Sequence, residues 1–227
     1  MGKYFLLVWH PEAKSFNLAM HNSAVAALTK AGHEVKVSNL AEMEWNPVSG
    51  PKNFTAEHTR VKPDFFKQQL EEPAAAKAGT FSPEIAAEQA KLAWADVVIF
   101  QFPLWWFSMP ATMKGWCDKV LAYGVSYGGE VGIYATGPYK NKKAILSITT
   151  GGPAPTYEKG GFNGDINGVL RPIQRGILEF CGFSVLAPEI VFAAAHGTDD
   201  DRQKRLAKWE ERVVGLQEEL PIEVGAY

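Results

Sequence analysis

Asp96 to Lys119 reads D-V-V-I-F-Q-F-P-L-W-W-F-S-M-P-A-T-M-K-G-W-C-D-K, and this stretch decides the fold. Val97 to Phe100 is a β-branched and aromatic run of the kind that forms a buried strand. Pro103 cuts it off, and Ser108 and Pro110 precede a helical segment that runs to about Leu121. Between strand and helix stand Leu104, Trp105, Trp106 and Phe107, four large apolar side chains in one loop. Such a loop needs something flat and apolar to cover it. In an open parallel sheet, the loops beyond the carboxyl ends of the strands are where ligands bind. On aromatic content alone, core packing or a subunit contact ranks above a cofactor site. The rest of the chain has to decide.

A chain of 227 residues suits one large domain spanning its whole length. It can bury roughly 70–75% of its unfolded surface, so it needs no disulfide or metal staple. The net charge of −2, with 23 basic residues scattered among 25 acidic ones, gives no sign of a nucleic-acid partner. Cys117 and Cys181 are the two cysteines, which points to a reducing compartment. The apolar run Tyr4 to Trp9 is too short for a signal peptide. Val97 to Met113, the longest uncharged stretch, holds two prolines and falls short of the ~20 residues that span a bilayer. These features predict a cytoplasmic protein without membrane insertion.

Outward from the opening stretch, strands and helices alternate. Lys3 to Val8 reads as a buried strand, and the polar turn His10 to Asn17 leads into a helix ending at Ala31-Gly32. Glu34 to Asn39 alternates as a strand, with Val35 and Val37 on one face. Leu40 to Lys62 shows little periodicity, and a connection this long is usually functional or in contact with another chain. Pro63 to Glu71 predicts a short helix; Ser82 as N-cap and Pro83 predict a second, ending at Trp94. Ala144 to Thr149 is another strand, followed by Thr150-Gly151-Gly152. Ile166 to Cys181 reads as a helix kinked or started late by Pro172. Val185 to Phe192 is the last strand, an edge or bulged one because of Pro188. Thr198 or Asp199 caps a final helix that runs to Leu216.

This alternation predicts an α/β three-layer sandwich around a five-stranded parallel sheet. With strand order 2-1-3-4-5, the ends of strands 1, 3 and 4 meet at the switch point. Those ends carry His10–Asn17, Pro103–Phe107 and Thr149–Gly152. The convergence of three unusual loops favours a ligand site.

Their chemistry is complementary. Ser15, Phe16 and Asn17 open a helix, where free N–H groups and the helix dipole attract an anion, and His10 and Lys14 add positive charge. Ser15 or Asn17 as a plain helix cap explains that loop without a ligand. Thr149-Thr150-Gly151-Gly152 lets the main chain approach a ligand closely, though an ordinary turn reads the same. Phosphate grip, aromatic shelf and glycine shelf together describe a flavin nucleotide lying across strand ends. A serine hydrolase elbow, a nucleoside triphosphate loop and a dinucleotide fingerprint after the first strand are all absent from the sequence. The five histidines have no metal spacing.

H-P-E-A-K-S-F-N-L-A-M, F-P-L-W-W-F-S-M-P-A-T-M-K-G-W, L-S-I-T-T-G-G and P-I-Q-R-G-I-L-E-F-C-G-F occur in this order. The chain so resembles the flavodoxin-like NAD(P)H:quinone oxidoreductases over nearly its whole length. The resemblance implies a flavodoxin-like fold, tightly bound FAD (with FMN as the alternative), and a homodimer whose sites use both subunits. It implies FAD contacts at His10, Ser15, Phe16, Asn17 and Ala19, with the ring held by Pro103, Leu104, Trp105, Trp106 and Phe107. Thr149, Thr150, Gly151 and Gly152 would hold the ring's other side, and Asp118 and Arg202 the adenosine end. Tyr157 stands at the family's catalytic tyrosine and also touches the cofactor. Asn163 stands where one mammalian form has its catalytic histidine, so proton work falls to Tyr157 or water. Tyr127, with Tyr123, would line the partner's substrate pocket.

The pattern is nearest the type 2 mammalian branch, which also has asparagine at that position and prefers small dihydronicotinamides. Arg175 and Glu179 replace that branch's metal-ligating histidines, so no metal is expected. The chain also stops short of the carboxyl-terminal extension of the type 1 form. Trp105 replaces the glutamine or tyrosine of the mammalian enzymes, which implies a narrower pocket. The implied activity is two-electron reduction of a quinone by a reduced nicotinamide, through ping-pong hydride transfer. Two rivals remain at this level: a redox-sensing ancillary subunit of a membrane potassium-efflux system, and a plain electron carrier.

Overall fold

In the computed structural model, which describes residues 1–225, β1 (Lys3–Val8), β3 (Val97–Pro103) and β4 (Lys143–Thr149) form the centre of a parallel sheet. These three strands are almost wholly buried, which is why they read as continuous apolar runs instead of alternating ones. β2 (Glu34–Asn39) pairs with β1 at one edge. The expected order holds through β2-β1-β3-β4, but the fifth position is filled by two short strands. β5 (Ser184–Val185) pairs with the start of β4, and β6 (Glu189–Val191) pairs with its end. The sheet therefore has six strands and not five. Pro188 lies in the gap, where a residue without an N–H interrupts the ladder.

The helices are α1 (Phe16–Lys30), α2 (Gln68–Ala78), α3 (Pro83–Trp94), α4 (Ala111–Val120), α5 (Ile166–Ile173) and α6 (Asp199–Val213). On one face of the sheet Met20, Ala24 and Leu28 of α1 and Trp209 and Val213 of α6 pack with Tyr4, Leu6, Ile99 and Ile145. On the other, Ile85, Leu92, Met113, Trp116, Leu170 and Ile173 pack on Phe5, Val98, Phe100 and Leu146. Successive strand residues thus feed opposite cores. Among the described residues, no helix is long and apolar enough to cross a membrane.

Three local expectations need correction. The helix expected over Pro63 to Glu71 begins at Gln68 and continues to Ala78, where Gly79 closes it in the left-handed conformation at φ 69°. It contains Pro73, and the buried carboxylates of Glu71 and Glu72 tie it to other segments through the Val61 and Tyr123 N–H groups. In β2 the alternation misleads: Val37 is exposed, while Ser38 is buried and donates to Glu88 at 2.7 Å. Buried Glu88 also accepts from Trp116 Nε1 at 2.9 Å and pairs with Lys91 Nζ at 2.7 Å. Ser82 precedes α3 as expected, but its hydroxyl makes no capping bond. After Pro172, α5 passes into a π-helical turn, Gln174–Glu179, which accounts for the irregularity expected there.

Candidate active site

At the carboxyl ends of β1, β3 and β4 lies a cavity of about 350 Å³, a size suited to a small ligand. Its walls are His10, Ser15, Phe16, Asn17, Pro103, Leu104, Trp105, Thr149, Thr150 and Gly151, together with Ala194 and Ala195. The three loops singled out in the sequence meet here.

The first wall is the start of α1. Ser15 is extended and its Oγ accepts the Leu18 N–H at 3.2 Å, so it is a true N-cap. The earlier amides of the turn have no acceptor within the helix and suit an anion. His10 Nδ1 lies 3.0 Å from the Glu12 N and 3.2 Å from the Glu12 carbonyl oxygen, which fixes the ring against the turn, and Glu12 Oε1 accepts the Lys14 N–H at 2.8 Å. Asn17 is buried and its Nδ2 donates to Thr149 Oγ1 at 3.1 Å, which ties the first loop to the third. Its Oδ1 meets no described hydrogen-bond partner. Ala19 sits within the first turn, its N–H on the Ser15 carbonyl at 3.0 Å, and does not line the cavity.

The second wall is a strained hairpin. Trp105 and Ser108 exchange N–H···O bonds of 3.1 and 3.0 Å, and between them Trp106 and Phe107 have φ of 51° and 57°. Asn and Gly favour that two-residue turn. A bulky residue there costs about 1–3 kcal/mol. The strain turns Trp105 into the cavity, where its ring meets Trp9 edge-on at 5.2 Å and His10 at 6.4 Å. Trp106 and Phe107 do not line the cavity: they project outward, 95% and 49% exposed.

The third wall is the glycine shelf. A Cβ built on Gly151 meets nothing within 4 Å, so that face is open to a ligand. A Cβ on Gly152 would come within 3.1 Å of Tyr157, 3.2 Å of Thr156 Oγ1 and 3.4 Å of Asn163 Nδ2. Tyr157 and Asn163 therefore back the shelf and do not form its surface. Tyr157 is buried and packs on Phe192 at 5.7 Å, and Asn163 Nδ2 donates to Thr156 Oγ1 at 3.1 Å.

Other expected residues lie apart. Asp118 and Tyr127 line a second cavity of about 590 Å³, with Gln68, Glu72, Lys114, Ile177 and Phe180 among its walls. Asp118 pairs with Lys114 at 2.6 Å, and Arg202 pairs with Asp199 at 2.8 Å in the first turn of α6. Glu72 accepts the Tyr123 N–H at 2.7 Å, and burial pushes its carboxyl above the usual range. At the positions of the type 2 branch's metal ligands, Arg175 pairs with Glu179 at 2.8 Å and covers the Tyr134 ring at 4.2 Å. Ala194 and Ala195 were not anticipated. The Ala194 N–H bonds the Thr150 carbonyl at 3.0 Å. Their signal was the small-residue run after β6, which permits close approach but names no chemistry.

The residues present fit a flavin: an anion-binding helix start, an apolar wall, an open glycine face and the unpaired Asn17 Oδ1 share one cavity. Comparison with known proteins agrees. Residues 2–213 match the family model described as Flavodoxin-like fold. NAD(P)H dehydrogenase [quinone] 1 of Rattus norvegicus is 45% identical over 217 residues, 96% of this chain and 78% of that protein. Ribosyldihydronicotinamide dehydrogenase [quinone] of Homo sapiens is 42% identical over 227 residues, 100% of this chain and 97% of that one. A solved structure from Klebsiella pneumoniae, given as a candidate quinone reductase, superposes with a TM-score of 0.91 at 40% identity, covering 98% of this chain and 87% of that one.

Proposed function

The chain belongs to the flavodoxin-like NAD(P)H:quinone oxidoreductase family, and we propose that it reduces quinones by two electrons at the expense of a reduced nicotinamide. The observation that carries this reading is the meeting of Ser15–Asn17, Leu104-Trp105 and Thr149–Gly151 on one cavity. A bound flavin, FAD by family precedent, supplies hydride acceptance and donation. The protein supplies position and polarity. The amides of Phe16 and Asn17 and the dipole of α1 would hold phosphate, with the His10 imidazole beside them. Leu104 and Trp105 hold the ring against water. Backbone N–H groups along Gly151-Gly152, with the Tyr157 hydroxyl behind them, would stabilise negative charge collecting on the ring, in the manner of an oxyanion hole. Asn163 orients through hydrogen bonds and exchanges no proton, because an amide does not titrate near neutral pH.

A second copy of the chain completes the site in this reading. Asp118 and Tyr127 stand on a different cavity from Trp105, and Trp106 and Phe107 lie uncovered beside the first. A homodimer that sets one cavity against the other explains both facts. Donor and acceptor then use the same space in turn, so double-reciprocal plots at several quinone concentrations should be parallel. Intersecting lines would exclude the shared pocket. The decisive experiment is the absorbance spectrum of the purified protein, with the released flavin identified, followed by turnover of menadione. A colourless protein that takes up no flavin on reconstitution overturns the proposal.

A further inference from the structure

Under the first turns of α1 lies a group of buried polar atoms that runs from Asn17, in the wall of the cofactor cavity, into the core. Asn17 Oδ1, His21 Nδ1, Gln101 Nε2 and Ser147 Oγ are each inaccessible to solvent and have no described hydrogen-bond partner. All four belong to one face of the sheet. Gln101 and Ser147 follow Ile99 and Ile145 by two residues, so they point into the core shared with α1, and they are in register with each other. Asn17 and His21 are four residues apart on α1, on one stripe.

Their levels along the sheet also match. α1 runs back against the strands, and Asn17 bonds Thr149 at 3.1 Å. Four residues down a helix is about 6 Å, and two residues back along a strand is about 6.6 Å. His21 therefore lies at the level of Ser147 and Gln101, one step below Asn17 and Thr149. Its other side belongs to an outer cleft of about 810 Å³ between α1 and β2, lined also by His10, Asn22, Val37, Asn39 and Glu42. His21 lines the cleft, and by register the buried polar atoms lie on its inner side, with the cofactor cavity reached through Asn17 and Thr149.

We propose that Asn17, His21, Gln101 and Ser147 hold an internal water site that passes solvent protons from the outer cleft to the redox cavity. Four unpaired polar groups in one dry layer would be strongly destabilising, and a polar site with several partners is where proteins keep buried water. The set offers acceptors at Asn17 Oδ1, donors at Gln101 Nε2, and a hydroxyl that does either. Among the described residues no trio of His, Cys, Asp or Glu is placed to hold a metal, so water and not a cation is the matching ligand. Burial pushes the His21 imidazole down to about 4, so at neutral pH it carries one N–H donor and one bare acceptor and continues a hydrogen-bonded chain.

This route rests on the proposed quinone reduction, to which it would bring the proton. Conversion of a quinone to a hydroquinone takes up one hydride, bringing both electrons, and one proton from solvent. A flat quinone bound over the cavity, under a partner subunit, would close its front to water. The route past His21 starts from the outer cleft and does not cross that front.

The test combines a crystal structure that resolves ordered water with stopped-flow reoxidation of the reduced protein by menadione in H2O and D2O. An ordered water bonded to at least two of the four atoms is expected. His21→Leu should slow the quinone half-reaction about tenfold, less than the loss of a general acid itself, and raise its solvent isotope effect, with flavin affinity unchanged. His21→Gln, which keeps a donor and an acceptor, should recover most of the rate. Ser147→Ala, which leaves α1 intact, should slow the same step. Direct pairing of Gln101 with Ser147 without water, or wild-type speed in His21→Leu, overturns the proposal. A protein that binds no flavin would defeat the functional reading, while the crystal structure would still decide the water site.

Discussion

His58 Nε2 lies 2.9 Å from Glu71 Oε2, both side chains almost fully buried, and the pair anchors the long connection after β2 to α2. Arg60 Nε donates to the other carboxylate oxygen at 3.2 Å, the Val61 N–H donates to Glu71 Oε2 at 3.0 Å, and His58 Nδ1 meets Thr80 Oγ1 at 2.8 Å. Phe54 stacks on the imidazole at 4.5 Å. One carboxylate thus fixes three points of a segment that has few regular hydrogen bonds of its own.

Removing that carboxylate should be costly. Glu71→Ala is expected to destabilise the protein by about 3 kcal/mol, the usual effect of leaving buried partners unpaired. The pH dependence follows from the direction of the shift. Burial raises the Glu71 carboxyl, but hydrogen bonds from Val61, His58 and Arg60 outweigh it and hold it below 4.5. A depressed folded value means stabilisation fully present above the unfolded value and lost as pH falls through the folded one. Urea midpoints of wild type and Glu71→Gln should therefore differ most above pH 4.5 and converge below the lowered native value. A gap that widened on acidification would refute this.

Gly151 and Gly152 should respond differently to the same substitution. Alanine at Gly151 meets open space, so stability should stay within about 0.5 kcal/mol of wild type. The added methyl points toward the ligand cavity, and flavin affinity should fall by about tenfold, near 1.4 kcal/mol. Alanine at Gly152 pushes on Tyr157, Thr156 and Asn163, so thermal stability should fall as well. Flavin-fluorescence titration beside thermal melts separates the two outcomes.

The Trp106-Phe107 turn makes an opposite trade. Trp106→Gly removes the strain of φ 51° and should leave stability unchanged or raise it by about 1 kcal/mol. If the exposed indole is covered by a second copy, the same variant should weaken dimerisation in sedimentation experiments and lower quinone turnover. Unaltered assembly would show that Trp106 serves some other contact.

What the sequence could and could not say follows from the range of the interactions. The aromatic loop was visible because side-chain type alone marks it, and the N-cap at Ser15 because capping is local. The strained turn was hidden, since nothing in W-W-F-S announces positive φ; Asn or Gly would have. The extent of α2 was misread because its buried Glu71 and Glu72 are held by His58, Arg60 and Tyr123, partners reached only through the fold. The burial of Ser38 is hidden for the same reason: its partner Glu88 is fifty residues away. The split of the last strand was signalled by Pro188, though not that each half would pair separately with β4. The assignment of Asp118 and Tyr127 to the site came from resemblance, and a single chain does not bring them to the first cavity.

Tyr157 offers the sharpest check on the chemistry. Its buried ring packs on Phe192 and lies close beside Gly152, so the hydroxyl can be removed without taking away the ring contacts. Tyr157→Phe should therefore melt within about 0.5 kcal/mol of wild type and bind flavin normally. Loss of one hydrogen-bond donor to developing negative charge typically lowers turnover by about 100-fold. Asn163 cannot substitute as an acid, because an amide does not titrate near neutral pH. Rapid-reaction measurement of the nicotinamide and quinone half-reactions should locate the loss in the steps where charge builds on the ring. Equal slowing of flavin binding, or full turnover in Tyr157→Phe, would reassign the hydroxyl to a purely structural role.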